Sequence, residues 1–295
     1  MIIRRIKDVT ATLFIRSAII LVNVIAFVII VVLFAKAKPI LDAKSISHLF
    51  TSAVWHPLKG EFGFVPFILG TLEVTAIAMI LSIPFCLLSS IYLSEYAHRN
   101  VRGFVRFVVD ILAGIPSVVY GLWGVIVVVP FVRDIGHIFG YQTTGYSLLA
   151  GSIILAIMVS PVIISISTEV LQTMPIEARE SSLALGATRW ETVKHVLMKS
   201  SLNGIAAAIV LGFARAFGET IAVLMVIGNV AKIPSSIFDP AYPLPALIAN
   251  NYGEMMSIPL YDSALLFAAL ILMLVIGVFS LAANYTLLTI QKRAR

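Results

Sequence analysis

The chain has 295 residues, of which 60% are hydrophobic and only 12% are charged. A soluble domain usually carries about 25% charged residues, and 21 Lys and Arg with 15 Asp and Glu cannot cover the surface of a soluble protein of this size. The mean hydropathy of +1.02 also excludes a disordered chain, because so apolar a sequence has abundant surface to bury. The composition therefore predicts a membrane protein.

Six apolar stretches are long enough to cross a bilayer, which takes about 20 predominantly apolar residues in a helix. The predicted fold class is all-α, a polytopic membrane protein with six transmembrane helices. The predicted spans are residues 17–35, 74–94, 111–132, 146–168, 203–228 and 263–291. The first span follows four basic residues, as the apolar part of a signal peptide would. Because no A-x-A-like cleavage site follows it, we expect it to be a retained anchor.

The prolines and glycines of the spans favour a bundle of bent, closely packed helices. Proline removes a backbone donor and tends to bend its helix, and glycine permits close helix approach. Such helices suit a bundle around a pathway, and ordinary helix packing is the alternative. The prolines are Pro84, Pro116 and Pro161, and the glycines are Gly114, Gly121, Gly124, Gly212 and Gly218.

Lys and Arg are distributed unequally between the two sides of the predicted spans. The two termini and the loops on their side carry 14 of these residues, the opposite loops carry six, and Arg215 alone lies within a span. Because basic residues are retained on the cytoplasmic side, both termini are predicted to be cytoplasmic. The net charge of +6 then reflects topology, and no nucleic-acid partner is expected.

The two outer loops differ in character. Residues 36–66 include Trp55, His56 and Pro57, whereas residues 229–262 combine five prolines with Ile, Leu, Phe and Tyr and carry few charges. A segment so apolar is unsuited to a free linker. It is predicted to pack on the helix bundle or to meet a partner.

Residues 171–199 carry paired stop and start signals of helices in a loop outside the lipid. Pro175 suits the first turn of a helix, and Gly186 suits the position just past its end. Thr188 lies three residues before Glu191, which is the capping-box spacing that begins a second helix. The loop is therefore predicted to be a cytoplasmic helix–glycine–helix elbow, with a purely structural surface element as the alternative.

Within this elbow, Glu180, Ser181, Ser182 and Gly186 stand in the order E-S-S-x-x-x-G. This order resembles the E-A-A-x-x-x-G signature in the membrane subunits of bacterial ABC importers, whose loop docks in a groove of the ATPase subunit. The resemblance implies a type-1 ABC importer permease fold and assigns ATPase coupling to these four residues. The family's later I-x-L-P segment falls on residues 196–199, where Lys stands in place of the proline.

Three further segments narrow the resemblance. Residues 62–71, 113–121 and 215–220 resemble segments of phosphate importer permeases. The Trp-His-Pro at residues 55–57 resembles the C-type rather than the A-type member of that pair of permeases. The resemblance extends over about residues 55–290, which is most of the chain.

This resemblance implies a permease in the bacterial cytoplasmic (inner) membrane that imports inorganic phosphate. The implied partners are a cytoplasmic ATPase dimer, a second related permease chain, an extracytoplasmic phosphate-binding protein and the lipid bilayer. It divides the chain into residues 1–66, an anchor helix with an outer loop, and residues 67–290, the ABC importer transmembrane domain with its coupling loop.

Arg215 and Glu219 are the candidate substrate-pathway residues. Arg215 lies near the middle of its predicted span, where a charge costs about 2.5–3.5 kcal/mol and should face a partner or a water-lined cavity. Glu219, four residues on in one helix, would share its face and pair with it. The pair is either a structural ion pair or a site in which the guanidinium binds an oxyanion and Glu219 positions it. Asp110 and Glu169, near span ends, are expected to be solvated.

The sequence contains no phosphate-binding loop G-x-x-x-x-G-K-[ST], no H-E-x-x-H and no G-x-S-x-G. The five histidines are scattered without ligand spacing, so no metal or other cofactor is expected. The chain is predicted to be a transport subunit and not an enzyme, with ATP hydrolysed by a separate chain. An ABC importer for another oxyanion or an amino acid, and an ion-coupled secondary carrier or channel, are the alternatives.

Overall fold

The computed structural model describes the backbone of residues 2–254, 258 and 260–293, and side chains within 12–254, 258, 260–283 and 285. The described chain is mainly helical, with a small hairpin of β1 (Trp55–His56) and β2 (Glu61–Phe62) before α3. The helices are α1 (Ile2–Ala43), α2 (Ile46–Thr51), α3 (Val65–Ile91), α4 (Arg99–Gly114), α5 (Ser117–Trp123), α6 (Val129–Ile138), α7 (Leu148–Gln172), α8 (Ile176–Ala184), α9 (Arg189–Thr192), α10 (Met198–Ser200), α11 (Leu202–Gly218), α12 (Ile221–Val226), α13 (Leu244–Asn251) and α14 (Tyr261–Arg293). Single π-helical turns join α5 to α6 and α9 to α10 and extend α3 to Tyr96.

Five helical segments of the described chain are long and apolar enough to cross a membrane, and a bent pair makes a sixth if it counts as one span. The five are Thr12–Ala43, Val65–Tyr96, Ser117–Ile138, Leu148–Gln172 and Tyr261–Ala283. The bent pair joins Arg189–Ser200 to Leu202–Gly218 at an angle of 71°. The predicted all-α, polytopic fold is confirmed, and two of the predicted spans need correction.

The third span begins later than predicted, because Pro116 lies in a break between two helices and not inside one. Ile115 and Pro116 both have extended backbones, and α5 begins at Ser117. Proline lacks the backbone donor that a helix interior requires and disfavours helical geometry in the residue before it. Pro84 and Pro161 do lie inside helices, α3 and α7, as predicted.

The centre of the bundle is the packing of α3 against α7, with α11 beside both. Their shared core contains Val74 and Ala78 of α3 with Val159 and Ile163 of α7. Gly212 makes the close approach of α11 possible, since a Cβ there would lie 2.8 Å from the Ile163 side chain. Glycine-mediated approach is likewise found at Gly121 and Gly124, whereas Gly114 and Gly218 have open space around them and the prediction fails there.

The outer loops pack on the bundle in an aromatic cluster. The Trp55 ring lies 4.9 Å from that of Phe67 and 5.4 Å from that of Phe62, measured between ring centroids. The loop after α12 returns to the same region, where the Leu244 backbone N–H donates to Thr71 Oγ1 at 2.8 Å. The predicted packing of residues 229–262 on the bundle is confirmed for the described part of that loop, which leaves out residues 255–257 and 259.

The first helix stands apart from this bundle. Through most of its described length α1 is exposed, and it packs on α14 near its end, where Ala37 and Ile40 are fully buried. A long apolar helix with so little protein contact presents its side chains to lipid or to another subunit. The division of the chain at residue 66 stays a prediction.

Candidate functional site

The elbow predicted between the fourth and fifth spans is present. Helix α8 ends just before Gly186, whose φ of +86° is the left-handed conformation that favours glycine. The Thr188 hydroxyl then accepts the Glu191 N–H at 3.3 Å, and the Glu191 carboxylate accepts the Thr188 N–H at 2.8 Å. The reciprocal capping box therefore begins the second helix as the spacing predicted.

The signature residues lie on the solvent-exposed face of this elbow. Glu180, Ser181 and Gly186 are exposed, whereas Ser182 is half-buried, with its hydroxyl 3.0 Å from that of Thr192. Large apolar side chains are exposed beside them, with Leu185 90% exposed. Exposed apolar side chains next to polar ones are typical of a surface that meets another protein.

The capping box makes a prediction about pH and local stability. The Thr188 N–H, and then its hydroxyl, lower the pKa of Glu191 below its usual value of 4.5. Because the folded pKa is the lower one, the contribution to stability is complete above pH 4.5 and is lost as the pH falls through the folded value. We expect Thr188→Ala to cost about 1 kcal/mol at neutral pH, measured as about fivefold faster amide exchange over residues 189–193.

The control for this experiment is Thr51→Ala. The Thr51 hydroxyl only donates back to the Ser47 carbonyl on an exposed helix, so its loss should leave exchange in the elbow unchanged. If the elbow of Thr188→Ala exchanges at the wild-type rate at pH 7, the capping box does not stabilise the second helix.

A half-buried ion pair ties the elbow to the end of α3. Arg179 NH2 lies 3.0 Å from Glu95 Oε1, and the two side chains are 21% and 14% exposed. Arg179 also donates to the carbonyls of Leu171 and Met174, at 2.7 and 2.9 Å, where α7 ends. One guanidinium therefore connects α8 to both helices of the central pair.

This connection was not found by sequence analysis, in which Arg179 counted only as a cytoplasmic charge. Glu95 and Arg179 are 84 residues apart, so no local spacing indicates the pair. The network continues from Glu95 through Ser94, whose hydroxyl donates to the Glu95 carboxylate at 2.7 Å and whose carbonyl accepts from Arg102 of α4 at 2.9 Å.

The second half of the elbow is held by apolar packing. Val193 and Leu197 are buried with Ile91 of α3, Leu171 of α7 and Ile205 of α11. The elbow thus contacts the adjacent ends of three helices, α3, α7 and α11. A force applied to the elbow reaches these helices through both an ion pair and a packed cluster.

The structure separates Arg215 from Glu219. Helix α11 ends at Gly218, and Glu219 has an extended backbone with φ −73° and ψ 127°. The two residues therefore do not share a helix face, and neither belongs to an ion pair within 4 Å among the described residues. The predicted intrahelical pair is wrong, because the i, i+4 rule holds only where the helix is continuous.

Arg215 lies in the last turn of α11. It lies 13 residues beyond Leu202, about 20 Å along α11 at about 1.5 Å per residue. Its side chain is exposed, whereas Glu219 is half-buried. Because a cationic side chain is costly to leave facing hydrocarbon, an exposed Arg215 within the membrane would face water, a partner or an anionic ligand.

One of the segments singled out in the sequence packs beside another. Helix α5 packs on α12 at Gly121, where a Cβ would lie 2.5 Å from Met225 Sδ. The Tyr120 hydroxyl of α5 donates to the Leu112 carbonyl at 2.8 Å. The segment 113–121 therefore lies against α12, which begins directly after the segment 215–220.

Residues 83–289 match the family of binding-protein-dependent transport system inner membrane components. This match covers more than half of the chain. The chain belongs to this family. As a family member it is a permease, the transport component of an ABC transporter in the inner membrane.

Relatives and solved structures agree with this family. The phosphate transport system permease protein PstC of Mesorhizobium japonicum is 35% identical over 293 residues, with 94% of this chain and 89% of the relative covered. The probable ABC transporter permease protein YqgH of Bacillus subtilis is 39% identical, with 80% of this chain and 75% of the relative covered.

A subunit of a bacterial alginate ABC transporter superposes with a TM-score of 0.60 at 18% identity, covering 92% of this permease and 93% of that chain. A chain of the MetNI methionine ABC transporter superposes with a TM-score of 0.58 at 21% identity, covering 75% and 93%. This permease therefore has the type-1 ABC importer fold.

Proposed function

We propose that this permease is a membrane-spanning subunit of an ATP-driven importer of inorganic phosphate. The observation that carries the proposal is the elbow, an exposed helix–glycine–helix fixed by Arg179 to the ends of α3 and α7. A carrier that does not use ATP has no need of such a cytoplasmic lever. Phosphate as the substrate is supported by the names of relatives that cover most of the chain.

The proposed partners bind the elbow and the outer loops, on opposite sides of the membrane. A cytoplasmic ATPase dimer binds the elbow at Glu180, Ser181, Ser182 and Gly186, and an extracytoplasmic phosphate-binding protein delivers phosphate to the outer loops. A second related permease chain completes the pathway. Both termini lie in the cytoplasm, as the 14 basic residues on that side indicate.

In the proposed mechanism, ATP-driven closure of the ATPase dimer moves the elbow and thereby the ends of α3, α7 and α11. The pathway then opens alternately to each side of the membrane. Arg215 contacts phosphate through its planar donor fork, which matches the geometry of an oxyanion. Glu219, on the extended segment beside α11, moderates the positive charge so that phosphate is released.

Gly186→Ala tests the ATPase-binding role of the elbow. An added Cβ meets nothing within 4 Å, so the substitution acts only through the backbone, where a left-handed non-glycine residue costs about 1–2 kcal/mol. We expect about fivefold or greater loss of ATPase co-purification with the permease.

Gly140→Ala is the matched control. Gly140 has φ +80° and equally open surroundings, but lies after α6, away from the elbow. Equal loss of the ATPase from both variants, or wild-type permease that retains no ATPase at all, would contradict the proposal. The second outcome would favour the ion-coupled carrier.

A further inference from the structure

A cavity of about 270 Å³ with a mixed polar and apolar lining lies between α4 and the last third of α7, apart from the elbow surface and from Arg215. Four charged side chains line it, two basic ones from α4, an acidic one from α4 and an acidic one from α7. They are Arg102, Arg106, Asp110 and Glu169. Both acids lie near span ends and were expected from the sequence to be solvated; both are exposed, and both line this cavity.

These four charges do not satisfy one another. Arg102 donates one hydrogen bond to the Ser94 carbonyl, and its Nε is buried without a partner. Arg106, Asp110 and Glu169 are exposed and belong to none of the ion pairs within 4 Å in the described part of the chain. The hydroxyl of Thr168, which also lines the cavity, is buried and unpartnered. Buried polar groups are normally paired, so Arg102 Nε and the Thr168 hydroxyl are the two buried atoms of the lining that lack a polar partner, and the three exposed charges are free to bind a ligand.

The net charge of the lining indicates what kind of ligand the cavity can bind. Two guanidinium groups and two carboxylates sum to zero, so a lone anion would gain the arginines but meet the carboxylates at close range. A lone cation has the opposite difficulty. A ligand with one anionic and one ammonium group satisfies both pairs.

The position of the cavity relative to the span ends narrows the choice of ligand. The spans of α3 and α7 end at Tyr96 and Gln172, and the cavity lies beside these ends, where lipid headgroups lie. On its other side α4 exposes Phe104 and Phe107, which are 67% and 62% exposed. A helix with charges on one face and large apolar side chains on the other lies in the membrane interface.

We propose that this cavity binds the headgroup of a zwitterionic phospholipid that carries a primary ammonium, namely phosphatidylethanolamine. Arg102 and Arg106 hold the lipid phosphate, and Asp110 and Glu169 accept hydrogen bonds from the ammonium. The apolar part of the wall, which includes Val109 and Ile164, contacts the adjoining methylene groups. A bound headgroup thereby joins α4 to α7.

The test is the lipid retained by the purified full-length permease after exchange into equimolar phosphatidylethanolamine, phosphatidylcholine and phosphatidylglycerol, measured by native mass spectrometry. We expect about tenfold preference for phosphatidylethanolamine over phosphatidylcholine, whose methylated ammonium donates no hydrogen bond. Glu169→Gln should abolish the preference, whereas Arg106→Gln should lower the retention of both lipids. Arg99→Gln, on the same helix but outside the cavity, should keep the preference and the retention.

Three results overturn the proposal. Equal retention of phosphatidylethanolamine and phosphatidylcholine by the wild-type protein would show that the cavity does not recognise the ammonium group. This comparison uses only the wild-type protein, so it does not depend on whether the variants fold. Preference for phosphatidylglycerol, or displacement of the lipid by inorganic phosphate at about 10 mM, well above a dissociation constant of about 1 mM, would show that the cavity is a simple anion site. Equal loss in Arg99→Gln makes the effect one of general surface charge. Lipid retention is measured without transport, so it tests the cavity whether or not the proposed function holds.

Discussion

Arg215→Lys is expected to lower phosphate uptake about tenfold or more while leaving the amount of permease in the membrane unchanged. Lysine keeps the charge but loses the planar fork, and hydrogen bonds to charged groups contribute about 1.5–3 kcal/mol. The amount of permease in the membrane should be unchanged because Arg215 is exposed and forms no ion pair within 4 Å in the described chain. The measurement is the initial rate of radiolabelled phosphate uptake by cells, divided by the amount of membrane permease.

Arg133→Lys is the matched control for this substitution. Arg133 is exposed and pairs with its neighbour Asp134, so its replacement should leave uptake unchanged. Normal uptake by Arg215→Lys would reject recognition through the guanidinium fork. Because the described residues hold no ion pair between Arg215 and Glu219, we expect Glu219→Ala to keep its normal abundance in the membrane and to alter uptake; loss of this variant from the membrane would contradict that expectation.

Glu95→Gln is expected to reduce the phosphate transported per ATP hydrolysed several-fold, without releasing the ATPase from the elbow. The Arg179–Glu95 pair is largely shielded from solvent, so its loss should cost about 1–3 kcal/mol, between the values for exposed and buried pairs. Arg179 would keep its bonds to Leu171 and Met174, so α8 would remain attached to α7 and lose its connection to α3. The measurement is uptake and ATP hydrolysis by the same reconstituted complex.

Arg179→Lys distinguishes a specific geometry from charge alone. One ammonium cannot reach the two carboxylate oxygens and two carbonyls that the guanidinium contacts, so this variant should be uncoupled as well. Asp134→Asn breaks a pair that is 50% and 66% exposed and should have no effect. If Glu95→Gln keeps the wild-type ratio of transport to hydrolysis, the ion pair does not transmit motion.

The features predicted best from the sequence depend on signals a few residues apart. The elbow was predicted from Gly186 and from the spacing of Thr188 and Glu191, because caps and left-handed turns are determined by neighbouring residues. The spans were predicted from their apolar length alone. The pattern of five spans, or six with the bent pair, therefore followed from composition and local order.

The failures have a common physical origin in helix breaks. The sequence was taken to continue helical through Pro116 and through Gly218–Glu219, and at both places the backbone becomes extended. Apolar length reports that a segment lies in the membrane but not that it is one helix. The resulting loss of the Arg215–Glu219 pair changes the proposed role of Glu219 from direct partner to nearby charge.

The remaining parts of the site depend on tertiary contact. Glu95 meets Arg179 across 84 residues, and the cavity brings α4 against α7. In each case the sequence showed only ordinary charges in loops or near span ends. Only the packing of α3, α4 and α7 shows which of those charges are paired and which are left facing a cavity.

The most direct test of the proposed function is phosphate uptake by proteoliposomes that contain this permease, its related permease, the ATPase and the phosphate-binding protein. Uptake is expected only when ATP and the binding protein are both present, with no flux through vesicles that contain this chain alone. Phosphate flux through the isolated chain, or uptake by the complete complex that continues without ATP hydrolysis, would contradict an ATP-driven phosphate importer.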